Sequence, residues 1–204
     1  MAIIAGFDPP SIRNLGYSLF SVNENKKTVR LKEAGLIQLK DNYEDEEYNY
    51  DFSVKTSKLE EFLKDFYEKN KIKEIAIEQQ ILPTKGSRYY PPLIFVQTNL
   101  MSNVIEKLAY EKGIARHRIH NKTLKKQVCG SGSVGKQEVM DRMVELLKLE
   151  LDYKIEDCTE KQYLSKYEHC FDSIMLVLAK YNNYKVLPYG KFKPINLLVE
   201  DNVK

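Results

Sequence analysis

The strongest constraint in this chain is its beginning, Ala2 to Phe20, AIIAGFDPPSIRNLGYSLF. The apolar run from Ala2 to Phe7 predicts a buried strand that delivers Asp8 to a turn made by Pro9 and Pro10, after which Leu15 to Val22 resumes an extended pattern. A carboxylate parked at the end of a core strand is costly unless it is solvated, paired or bound to a cation. Strand ends in α/β sheets are also where ligand chemistry collects. An Asp before Pro serves equally well as a plain turn former, so the weight of Asp8 depends on what else converges on it.

Two later segments offer partners. Glu74 to Glu78, EIAIE, reads as a second short buried strand that also ends in an acid, Glu78. Gln162 to Tyr181, QYLSKYEHCFDSIMLVLAKY, reads as one long helix with an apolar second half. At its entry to the core stand His169 and Asp172, three apart and so on one helix face, with Glu168 bordering that face. Oxygen donors of this kind suit a divalent cation. A lone His-x-x-Asp on a helix is more often a capping or surface feature.

The remaining elements follow in order. Thr28 to Leu39 predicts a third strand, making an antiparallel meander of the first three. The loop Asp41 to Asp51 holds six acids and no base, without the spacing of a calcium loop. Ser53 or Thr56 is expected to cap a helix reaching about Asn70, with Leu59, Phe62, Leu63 and Phe66 on its core face. Ile81 to Tyr90, ILPTKGSRYY, interleaves Lys85 and Arg88 with Tyr89 and Tyr90, a mixture that suits phosphates and exposed bases. Its tyrosines would serve equally well packed on the helix that follows, from Pro91 and Pro92 to about Lys112. After a strand at Ile114 to Ile119, two short helices flank a glycine-rich loop, Gly130 to Gly135, with Lys125, Lys126 and Lys136 placed for phosphate contacts. It is not a Walker A loop, because Lys136 lacks the preceding strand and the following Ser or Thr. Residues 1–182 are expected to form one domain and residues 183–204 an irregular basic tail, with a short extended piece at Ile195 to Val199.

Composition bounds the class. Hydrophobic residues make up 43% of the 204 and charged residues 30%, enough for a sizeable core under a polar surface. No apolar run reaches the roughly 20 residues of a membrane helix, and no signal-peptide pattern opens the chain. A cytoplasmic location, in a bacterial cell or a phage-infected host, is the expectation. Cys129, Cys158 and Cys170 form neither a disulfide framework nor a zinc knuckle. The net charge of +3 is modest, yet Glu111 to Arg142 carries eight Lys or Arg against three acids, a local positive field of the kind a polyphosphate partner uses.

Four segments, IIAGFDPPSIRNLGYSL, EIAIEQQ, LKKQVCGSGSVGKQEV and HCFDSIMLVLA, resemble in that order the characteristic segments of RuvC-type Holliday junction resolvases. The likeness spans about Ala2 to Lys180. It implies an RNase H-like α/β fold, with a central mixed sheet of five strands, three antiparallel and then parallel, flanked by helices. By the same resemblance Asp8, Glu78 and Asp172 are metal-binding acids, and His169 stands where many members have Asp. Lys125 and Lys136 fall where the family places lysines near the junction backbone, and Arg13, Lys85, Arg88, Tyr89 and Lys126 are further candidates for DNA contact.

The implied function is Mg²⁺-dependent resolution of four-way DNA junctions by paired nicks, with two ions per site, Mn²⁺ as an alternative, and 5′-phosphate ends. Paired nicks imply a homodimer, for which the apolar stripe Leu93, Val96, Leu100, Val104 and Leu108 is a candidate surface, with core packing as its ordinary explanation. A branch-migration helicase is a further partner of no identity readable from these residues. Two departures stand out. The family's Asp-Pro-Gly is Asp-Pro-Pro here, and Ile81 and Leu82 follow Glu78 where an aromatic wedge is usual. The alternatives are an RNase H-like nuclease for flaps, other branched DNA or RNA–DNA hybrids, an actin-like nucleotide-binding domain, for which the chain is too short, and a DNA-binding module without catalysis.

Overall fold

The computed structural model describes residues 1–9, 14–39, 52–79, 92–151 and 159–199. Three strands open the fold, β1 (Ala2–Asp8), β2 (Asn14–Asn23) and β3 (Thr28–Leu39), paired as an antiparallel meander. Helix α1 (Phe52–Asn70) leads to β4 (Ile72–Glu78), and α2 (Pro92–Glu111) leads to β5 (Ala115–Ile119). Both of these strands run parallel to β1, giving the order β5-β4-β1-β2-β3. The five-stranded mixed sheet expected from the sequence is therefore present.

Side-chain alternation divides this sheet between two cores. Ala5, Phe7, Tyr17, Ile75 and Ile77 face α1 and α2, meeting Leu59, Leu63, Phe66 and Ile105. Phe66 lies edge-on to Phe7 and Tyr17. Ile4, Phe20 and Ala76 face the opposite way, into a core with α3 (Asn121–Cys129), α4 (Lys136–Leu147) and the last helices of the chain. Because Asp8 shares the parity of Ile4, and Glu78 that of Ala76, both acids belong to this second face.

The C-terminal part corrects several expectations. The stretch foreseen as one helix from Gln162 is two, α5 (Glu160–Lys166) and α6 (Glu168–Lys180), because Tyr167 adopts φ −106° and ψ 19°, outside the helical range. Tyr163 and Tyr167 are buried with ring centroids 4.9 Å apart, so the break sits where two aromatic side chains enter the core. The tail is not irregular through residue 199. Residues beyond α6 form β7 (Lys185–Leu187), β8 (Gly190–Phe192) and β9 (Ile195–Val199). Strands β7 and β9 pair with β3, extending the sheet to seven strands, and β8 pairs with the short β6 (Leu149–Leu151). An edge strand offers a row of unpaired amides and carbonyls, and these segments occupy it. Helix α1 as described begins at Phe52 and already includes Ser53 and Thr56. Among the described residues no helix is long and apolar enough to cross a membrane.

Candidate active site

The site is assembled at the C-terminal ends of two parallel neighbours. Phe7 of β1 is paired with Ile77 of β4, so the next residue on each strand is an acid, Asp8 beside Glu78. Helix α6 crosses above them. Its close approach depends on two glycines of the sheet: a Cβ at Gly6 would stand 2.1 Å from the Ser173 carbonyl oxygen, and one at Gly16 would stand 2.0 Å from that of His169. Ser18 completes the contact by donating from Oγ to the Ser173 carbonyl at 2.9 Å. Only a sheet without side chains at those points lets the helix backbone descend far enough for His169 and Asp172 to reach Asp8.

Asp8, His169 and Asp172 each bring one donor atom into a group whose members all lie within 4.8 Å of one another. Asp8 is buried, and its Oδ2 lies 2.9 Å from Nδ1 of His169. Glu78 borders the trio, with Oε1 accepting from Asn121 Nδ2 at 2.9 Å. Burial pushes the Glu78 carboxyl up, as does the charge of Asp8, while Asn121 and Lys125 pull it down. Asp172 is raised well above the usual carboxylate range, first by desolvation and then by the charges of Asp8, Glu168 and Glu78, with Lys136 opposing. Acids that hold each other's protons in this way lack positive charge, which a divalent cation supplies. The donor set suits one, since two carboxylates and an imidazole bring ligand atoms within 4.8 Å of one another.

No protein-family model and no curated protein matches the sequence. Solved structures do. Thermus thermophilus RuvC matches with a TM-score of 0.62 at 15% identity, over 88% of this chain and 93% of that one. The same protein in complex with a Holliday junction substrate matches at 0.62 and 16%, over 88% and 92%. The yeast mitochondrial Holliday junction resolvase Ydc2 follows at 0.59 and 16%, over 88% and 77%. The fold is that of RuvC.

Within this RuvC fold the lysines around the glycine-rich loop differ in their surroundings. Lys125, half-buried, donates from Nζ to the Val134 carbonyl at 3.0 Å and so braces the glycine-rich loop from inside. Lys126 is exposed near the end of α3, and its carbonyl accepts the capping Gly130 amide. Lys136 is exposed and ion-paired with Glu168. Arg13, Lys85, Arg88 and Tyr89 lie outside the described residues, as does the acidic 41–51 loop. Two further residues stand at the site, to neither of which the sequence assigned a role. Glu168 was legible, since it stands four before Asp172 and shares its face. Asn121 was not, because it meets Glu78 only when β5 lies alongside β4 with Ile119 opposite Glu78.

Proposed function

We propose that this chain is a divalent-metal-dependent endodeoxyribonuclease that resolves four-way DNA junctions by paired nicks, leaving 5′-phosphate and 3′-hydroxyl ends. The observation that carries the reading is the meeting of Asp8, His169 and Asp172 within 4.8 Å at the strand ends of a RuvC fold. Asp8, Asp172 and Glu78 would hold Mg²⁺ or Mn²⁺ through carboxylate oxygens, and His169 through its imidazole. Such ions, when bound there, would supply water activation and charge neutralisation at the phosphodiester.

The protein's own contribution is placement. His169 orients the Asp8 carboxylate from α6, and Asn121 orients that of Glu78 from α3. Lys126 and Lys136 offer ammonium groups to the backbone beside the site, and Arg13, Lys85, Arg88 and Tyr89 are the further proposed DNA contacts. The choice of substrate draws on T. thermophilus RuvC, which has been solved with a Holliday junction. One acid cluster per chain, against two symmetric nicks, favours a twofold homodimer. Among the described side chains of α2, Leu108 is buried in the core and Val104 packs against it, while Val96 and Tyr110 are exposed and apolar, open to such a contact.

The test is a labelled four-way junction offered beside a flap and an RNA–DNA hybrid in Mg²⁺. Symmetric nicks in opposite strands of the junction are expected, with loss of cutting on chelation. Preference for the hybrid, or cutting that survives chelation, overturns the reading.

A further inference from the structure

One acid at the site has no task in the scheme above. Glu168 opens α6 four residues before Asp172, so both side chains leave the same helix face. An additional carboxylate beside a site for a phosphodiester repels the substrate, unless it serves to hold a cation there. Glu168 does hold one: it is ion-paired with Nζ of Lys136, the first residue of α4. The lysine is otherwise well exposed, with 73% of its side chain open to solvent, whereas Glu168 is only 22% exposed. The anchored partner is therefore the acid, and the long lysine side chain is what the contact restrains.

The backbone beneath Lys136 is held as well. Two residues earlier, the Val134 carbonyl accepts from Lys125 Nζ on α3 at 3.0 Å. The glycine-rich loop is thus tied to α3 through Val134 and to α6 through Lys136. Held in this way, the Lys136 ammonium also lies within electrostatic reach of Asp172 and Asp8. An exposed ion pair adds little to stability. Its effect is to place the charge.

We infer that Glu168 is a positioning residue that holds the Lys136 ammonium at the rim of the Asp8, His169 and Asp172 group, where the reacting phosphate meets it in preference to phosphates elsewhere on the strand. The inference rests on the nuclease reading, and the experiment separates the two. In the first arm, lysine acetylation at fixed pH is followed by mass spectrometry on the full-length, DNA-free protein. Lys136 is expected to react several-fold faster in Glu168→Gln than in the wild type, with Lys126 unchanged. Equal rates overturn the inference whatever the enzyme cuts.

In the second arm, single-turnover cleavage of a four-way junction is compared with junction binding. Glu168→Gln is expected to slow cleavage about tenfold, with Kd within twofold of wild type. Glu168→Asp should recover part of the rate, and Lys136→Gln combined with Glu168→Gln should be no slower than Lys136→Gln alone. Additive losses, or a loss confined to binding, overturn the inference. A wild type that acetylates as expected yet leaves junctions uncut counts against the nuclease reading and leaves the positioning of Lys136 standing.

Discussion

Strand β4 places two glutamates, Glu74 and Glu78, on the same face beneath α6, and their surroundings are opposite. Glu74, at the far end, accepts from the Tyr181 hydroxyl at 3.0 Å, pairs with Lys180, and has His117 Nε2 at 3.3 Å. The Tyr181 hydroxyl brings a proton and Lys180 a positive charge. Glu78, four residues on, sits among acids, with Asp8 beside it and Asp172 opposite, and its proton is held more tightly than usual. The first acid is compensated and structural. The second belongs to a group short of positive charge, as expected where a cation is to be received.

The largest effect tests the uncompensated end directly. Asp8→Asn should slow junction cleavage about a thousand-fold, ~4 kcal/mol of barrier, while gel-shift affinity in Ca²⁺ stays within a few-fold. Retained cutting would mean that the acid cluster is no more catalytic than Glu74.

Next comes the contact that gathers the cluster. Gly16→Ala, whose Cβ would collide with the His169 carbonyl, should destabilise the fold by roughly 3 kcal/mol. Thermal unfolding checks this, and a variant of unchanged Tm would show that α6 does not need so close an approach.

A smaller pair of effects should differ in sign. Glu74→Gln weakens the pairing of Lys180, which is 17% exposed, and should lower metal-free stability by about 1–2 kcal/mol. Asp172→Asn removes a repelled charge and should raise it, each kcal/mol moving Tm by roughly 2–4 °C. Equal signs would erase the distinction between the two ends of the strand.

The smallest effect is a pH dependence. Burial and neighbouring acids raise Asp172 in the folded state, so the folded protein keeps that proton to higher pH than the unfolded chain. The sign follows: this group's contribution to metal-free stability is greatest below the unfolded carboxylate range and falls as pH rises towards the raised folded value. A divalent cation requires the ionised form, so the Tm gain from added Mg²⁺ should be larger near about pH 8 than near about pH 5, by roughly 1 kcal/mol of stabilisation. Differential scanning fluorimetry with and without chelator reads it.

Much of this site was legible before any coordinates. Two apolar strands each ending in an acid, and a helix with His169 and Asp172 three apart, are short-range patterns, and a period of two or of 3.6 assigns each residue a face without reference to the rest of the chain. The same periodicities brought out the meander, β4, β5 and the helices around the glycine-rich loop. They were silent on β7, and they marked Ile195 to Val199 only as a short extended piece with no partner; both segments become strands of the sheet by filling the open edge of β3. They also missed the break at Tyr167, where a continuous helical pattern is interrupted as two tyrosines enter the core.

The sequence by itself determined which residues carry oxygen and imidazole donors, and on which face of its own strand or helix each would sit. Tertiary structure alone decided that they meet: α6 comes down onto Gly6 and Gly16, Asn121 arrives beside Glu78 from the start of α3, and Glu168 reaches across to Lys136. Facing is a property of local backbone geometry, repeated every few residues. Meeting depends on how closely two distant backbones can approach, which is settled only when the whole core has packed.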